Sequence, residues 1–150
     1  MIQRIQSLFL LLAALIAVAL FFIPSELIIF TKSNELMYAY TMNPFGVPQG
    51  TSAIIYGLFI ANLGVFLFSM VAIFQYKNRK RQMKTSRGVL ILSVIQMGQL
   101  FAFTLYRADF HEKVYTWAAF LPVGSIVFVL LAGIFIKKDE DLVRSADRIR

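Results

Sequence analysis

The chain has 150 residues, of which 59% are hydrophobic and 15% charged, with a net charge of +7 and no cysteine. A soluble domain is nearer half apolar and a quarter charged, so a mean hydropathy of +0.71 points to a membrane rather than to an ordinary water-facing domain. The missing cysteines exclude a disulfide framework, a thiolate zinc site and a thiol nucleophile.

A helix needs roughly 20 mostly apolar residues to cross a bilayer. The first such run is L-F-L-L-L-A-A-L-I-A-V-A-L-F-F-I-P-S, residues 8–25, and is expected to reach Phe30 if Glu26 sits at the interface. A basic start before an apolar run also describes a signal peptide, but this run is longer than the usual apolar region and no small-x-small cleavage site follows it clearly. It is therefore read as a retained span of about 8–30.

Segment 26–52 follows. Within it E-L-M-Y-A-Y-T-M-N has strand-like aromatics, and N-P-F-G-V-P-Q-G is turn chemistry, in which proline fixes φ and glycine supplies positive φ. A short hairpin and an interfacial flap both fit. Tyr38, Tyr40 and Phe45 are either an outward binding surface or an aromatic belt at headgroup level, and the belt is the simpler reading.

The second span is expected at 53–76 and the third at 88–106. Asn62 and Ser69 interrupt the second, and Ser93, Gln96, Gln99 and Thr104 the third. Gln96 and Gln99 are three apart and share a face that Ser93 extends. Such groups are either interhelical hydrogen-bonding glue or the lining of a solute pathway. Coupled transporters usually carry intramembrane Asp, Glu, His or Arg, and none lies in these runs. Glue at Asn62, Ser93, Gln96 and Gln99 is therefore favoured. Gly57, Ala61 and Gly64 put small residues on one face of the second span, where backbones can approach closely.

Between these spans lies Y-K-N-R-K-R-Q-M-K-T-S-R, with Lys77, Arg79, Lys80, Arg81, Lys84 and Arg87. Nucleic-acid binding would call for a folded basic face or interleaved aromatics. Met83 is the sole sizeable apolar residue between Lys77 and Arg87, so the reading is a topology lock that meets lipid headgroups, and no nucleic-acid partner. The fourth span is expected at 115–136, with a tail from 137 to 150. Four spans put Arg4, the basic loop and the tail cations Lys137, Lys138, Arg144, Arg148 and Arg150 on one side, against Lys32, Arg107 and Lys113 on the other. The positive-inside rule then places both termini in the cytoplasm.

The short loop before the fourth span holds D-F-H-E-K, with Asp109, the one histidine His111 and Glu112. A metal site needs three or four ligands, and only Glu26 and Glu35 are candidates to complete one. A nucleophile beside His111 is not evident, and there is no phosphate-binding glycine loop or H-E-x-x-H motif. The expectation is therefore no cofactor, no metal and no catalytic residues.

The tail K-K-D-E-D-L-V-R-S-A-D-R-I-R places Leu142, Val143, Ala146 and Ile149 on a helical stripe. Asp141, Arg144, Asp147 and Arg150 alternate in sign, and Glu140 pairs with Arg144 at i+4. This predicts a short amphipathic C-terminal helix, continuous with the fourth span or bent off it. Its acids make it a poor binder of anionic lipid alone. Docking through Leu142, Val143, Arg144, Asp147, Arg148 and Ile149 is the better reading.

The start M-I-Q-R-I-Q-S-L-F-L-L-L-A-A, the inner loop I-F-Q-Y-K-N-R-K-R-Q and the ending I-K-K-D-E-D-L-V-R-S-A-D-R-I-R resemble the four-span membrane proteins of the Bacteroidota gathered as domain-of-unknown-function family 4293. The resemblance covers the whole chain. It implies a bacterial inner-membrane protein and carries no assigned activity. The fold expected is an all-α four-transmembrane-helix bundle. The function expected is that of a non-enzymatic accessory or scaffold subunit of an envelope complex, with membrane lipids and a protein partner, and open to self-association. A small-solute transporter or channel component lined by Asn62, Gln96 and Gln99 is the alternative, and a membrane enzyme acting on lipid or an envelope precursor is the third reading.

Overall fold

A computed structural model of the chain describes residues 2–22, 28–32, 35–40, 52–106, 112–115 and 117–148. Four helices carry the architecture: α1 Ile2–Phe22, α2 Ser52–Phe74, α3 Arg79–Tyr106 and α4 Leu121–Arg148. α1 packs on α2 and α4, and α3 packs on α2 and α4, so the helices close a ring in chain order. Among the described residues, three stretches are long and apolar enough to cross a membrane: Ile5–Phe22, Tyr56–Phe74 and Trp117–Val143. That is consistent with a multi-pass membrane protein.

The helices share one frame. Buried positions fall at Gln6, Leu10, Ala13, Ala17 and Leu20 of α1, and at Leu58, Asn62, Val65, Ser69 and Ala72 of α2. In α3 they are Gln82, Ser86, Val89, Ser93, Gln96 and Leu100, and in α4 Pro122, Ser125, Val129, Ala132, Ile136 and Asp139. Steps of four and three alternate in all four helices, the 3.5-residue period of helices that pack side by side over their length. Outside these seams the uncharged runs expose apolar residues, as at Leu15, Phe22, Ile60, Phe74, Ile91, Phe101, Phe120 and Ile134. A water-soluble protein distributes these residue types the other way round.

Small seam residues let the helices approach. A Cβ at Gly64 would lie 3.0 Å from Leu92 of α3, and one at Gly124 3.3 Å from Ile16 of α1. Phe9 of α1 stacks on Phe135 and Phe128 of α4 at 5.5 and 6.2 Å, and Phe21 meets Phe59 of α2 edge-on at 5.2 Å. Pro122 is the second residue of α4, where its missing N–H breaks no helical hydrogen bond. It marks the start of the helix and does not kink it.

Four boundaries differ from the sequence reading. The first span stops at Phe22, and residues 28–30 belong to strand β1, Ile28–Lys32. Pro24 opposes helix continuation, and I-I-F-T is rich in β-branched and aromatic residues. The fold is therefore not purely helical: β1 pairs antiparallel with β2, Glu35–Tyr40, and with β3, Glu112–Tyr115. The order β2-β1-β3 joins the two connections at one end of the ring into a single sheet. Its hairpin register, Phe30 opposite Tyr38 and Lys32 opposite Glu35, is interrupted by an irregularity after Phe30. The hairpin alternative for segment 26–52 thus holds over β1 and β2, while Phe45 and the turn motif lie outside the described residues. Third, residues 79–87 are no loop but the opening turns of α3. Arg, Lys, Gln and Met are good helix formers, and Asn78 caps the helix, its Oδ1 accepting from the Arg81 N–H at 3.2 Å. Fourth, Tyr115 ends β3, and a 3-10 turn at Trp117–Phe120 precedes α4.

The frame makes a packing prediction. Gly64→Val forces extra volume against Leu92 and is expected to cost about 1–3 kcal/mol. Gly98→Ala, whose Cβ meets nothing within 4 Å, is expected to stay within about 0.5 kcal/mol. Denaturant titration in detergent micelles measures both.

Candidate functional site: the polar interior

Every buried polar side chain among the described residues lies on a seam. Most of them form two groups, with an apolar layer of Leu10, Ala72 and Ala132 with Ala13, Ala17, Val65, Val89 and Val129 between; Ser69, which falls between Val65 and Ala72 on α2, lies within that layer.

The inner group is built on Asn62, which is fully buried in α2. Its Nδ2 donates to the Ala17 carbonyl of α1 at 2.9 Å, and its Oδ1 accepts from Gln96 Nε2 of α3 at 3.3 Å. One side chain thus ties three helices. Ser93 is brought to the same seam, but its hydroxyl bonds back to the Val89 carbonyl of its own helix at 3.0 Å. Gln99 lies against Gly57, whose added Cβ would stand 3.1 Å from Gln99 Nε2. The four residues that sequence spacing singled out therefore sit along the α2–α3 seam, with Asn62 and Gln96 in direct contact.

The second group lies at the end holding the α2–α3 turn. Gln6 Nε2 of α1 donates to the Phe135 carbonyl of α4 at 3.1 Å. Thr85 Oγ1 donates to Gln75 Oε1 at 2.7 Å, bracing the turn. Gln82 and Ser86 are buried beside them. Arg79 Nε stands 2.7 Å from Asp139 Oδ2, with side chains 27% and 11% exposed. The two atoms are at ion-pair distance without hydrogen-bond geometry, so Coulomb attraction holds them. Among the residues whose side chains the structure describes, this is the one ion pair. It also answers a dipole problem. The first turn of α3 carries cations and no acid, an arrangement the positive end of a helix disfavours. Asp139 brings the missing carboxylate from α4.

The basic cluster divides. Lys77, Lys80, Arg81, Lys84 and Arg87 are exposed, as headgroup contact requires. Arg79 is not free for lipid, because Asp139 holds it. The tail is a direct extension of α4 to Arg148. Of the docking residues, Leu142 and Val143 are exposed, Arg144, Asp147 and Arg148 belong to the same helix, and Ile149 lies outside the described residues. So do Glu26, Asp109 and His111, while Glu35 and Glu112 open β2 and β3.

Sequence reasoning missed Gln6, Gln82, Ser86 and Asp139. Gln82 and Ser86 were legible in principle, since they continue the four-three spacing of Ser93 and Gln96, whereas Gln6 stands on a seam that is otherwise apolar. Asp139 was hidden among the acids of the tail.

A family model described as a domain of unknown function, DUF4293, matches residues 2–149. No curated protein and no solved structure matches the chain.

Removing one member of a partly buried ion pair strands the other. Asp139→Ala and Arg79→Ala are each expected to destabilise the fold by about 1–3 kcal/mol. The double variant should cost less than the sum, a coupling that a thermodynamic cycle in micelles reads directly. Asn62→Leu strips two interhelical bonds and is expected to cost about 1–3 kcal/mol, with thermal unfolding as the measurement.

Proposed function

The chain belongs to the DUF4293 family, a domain of unknown function, and from that starting point we propose that it is a four-span protein of the bacterial inner membrane with both termini in the cytoplasm. In this reading α3 supplies the remaining span, third in chain order, through its uncharged stretch 88–106. The exposed cations at the start of α3 and Lys137 and Lys138 of α4 then share the cytoplasmic side. The three-stranded sheet stands on the outer side.

Its role is that of an accessory or scaffold subunit of an envelope complex. The observation that carries this reading is the shape of α4. The helix continues past the last residue of its apolar run, Ile136, to Arg148, and presents Leu142 and Val143, 49% and 39% exposed, on that extension. A stop-transfer signal needs only the charges Lys137 and Lys138. An ordered helix with exposed apolar residues beyond them fits a docking element, and the Arg79–Asp139 pair holds its base. The transporter alternative is weaker, because Asn62 is already engaged by Ala17 and Gln96 and the runs 53–76 and 88–106 that hold Asn62 and Gln96 carry no charged residue to couple a solute.

The test is a mild-detergent pull-down of the natively expressed protein against a chain ending at Asp141, which keeps Asp139 and its partner. A companion variant is Leu142→Ser with Val143→Ser. A protein recovered with the intact chain and lost from both variants supports docking. Equal recovery from all three overturns it. Solute flux in liposomes that disappears in Gln96→Leu with Gln99→Leu would instead favour the channel.

A further inference from the structure

Beyond protein docking, we propose that the groove between α3 and α4 is a binding site for one anionic phospholipid, with its phosphate between Arg87 and Lys137 and an acyl chain along the apolar floor. The groove has a volume of about 240 Å³ and is lined by Met83, Ser86, Arg87, Leu90, Val129, Leu130, Gly133, Ile134 and Lys137. The inference rests on the helices being embedded in a membrane, and not on any scaffold role.

Its position comes first. Arg87 is the last charged residue before the apolar run of α3, and Lys137 the first after that of α4. The helices are antiparallel neighbours, so both charges mark one boundary and line one groove. On the apolar side of that boundary the lining is Leu90, Val129, Leu130, Gly133 and Ile134. A cleft with cations at its mouth and hydrocarbon below matches a phospholipid standing in its leaflet.

Three details fit the occupant. Among the described residues neither cation is paired with a carboxylate, and Arg87 Nη2 has only the weak acceptor Met83 Sδ, at 3.7 Å. Ser86 is 3% exposed and its hydroxyl has no partner. Ser93 bonds back to the carbonyl four residues earlier. Ser86 does not, which leaves a buried O–H in the groove wall that a phosphate oxygen would accept. Finally, a Cβ on Gly133 would meet nothing within 4 Å. The missing side chain is not needed for helix contact. It leaves space on the floor of the groove.

Two facing cations select a headgroup of net negative charge over a zwitterionic one. The purified, delipidated full chain is titrated with phosphatidylglycerol or phosphatidylcholine of identical acyl chains, and native mass spectrometry counts bound lipid. Phosphatidylglycerol is expected to bind about tenfold more tightly or better. Arg87→Gln with Lys137→Gln should bring it to the phosphatidylcholine level. Lys138→Gln with Arg150→Gln, cations of the tail that belong to neither the groove nor the headgroup cluster, should leave the preference in place. Gly133→Leu should remove the tight lipid with all charges intact, and Gly133→Ala should weaken it with less demand on folding. Equal binding of the two lipids by the unaltered chain overturns the proposal. So does a preference that the distant pair of substitutions abolishes as fully as the groove pair, since diffuse charge would then explain it. A photo-crosslinker at Ile134 that captures a protein in membranes, and no lipid, overturns it in favour of a partner helix.

Discussion

Polar side chains that have no water to reach must find one another, and in this chain they have only a narrow line on each helix in which to do so. The outer faces are apolar almost without interruption. The seams therefore collect what hydrogen-bonding and charged groups the helices bury: an amide tie at Asn62 and Gln96, and an ion pair with its attendant amides and hydroxyls at the α2–α3 turn. Apolar contact alone would let such helices slide or rotate against one another, because every apolar face resembles every other. Directed bonds from Asn62 to two neighbours, and from Gln6 to the α4 backbone, select one register.

The two polar groups have different characters. Around Asn62 the bonds are neutral and enclosed, and they fix distances between α1, α2 and α3. At the turn the chemistry is ionic and closer to solvent. There Asp139 reaches from α4 to the first residue of α3, so helices joined only through a distant connection are fastened at their charged ends. The same end carries the exposed cations, the groove mouth and the extension of α4. Three surfaces able to meet other molecules thus rest on one ionic foundation.

Much of this was legible in the residues. Continuous uncharged runs marked the apolar helices, and the polar interruptions at Asn62, Ser93, Gln96 and Gln99 marked an inward face. The strand-like Glu35–Tyr40 was also visible, because its aromatics stand outside any apolar run. Its partner was not: Ile28–Lys32 adjoins the first apolar run, and hydropathy alone does not separate a buried helix from a strand at a run's edge. The basic segment read as a loop because charge suggests solvent, while its helix-forming composition and the Asn78 cap went unweighed. The pairing of Arg79 with Asp139 joins two residues sixty positions apart in the chain, and no local pattern announces it.

The alternation of four and three in every helix has an evolutionary corollary. Residues on the apolar surface can be exchanged for others of similar solubility in lipid with little effect on the frame. Length cannot be exchanged in that way. One residue gained or lost between Asn62 and Ser69 would turn everything beyond it by about 100°, swinging Ala72 out of the interior and an apolar neighbour in. The lineage of this protein should thus tolerate drift in composition along its helices while confining insertions and deletions to the connections, so that helix length, more than residue identity, is the heritable part of its architecture.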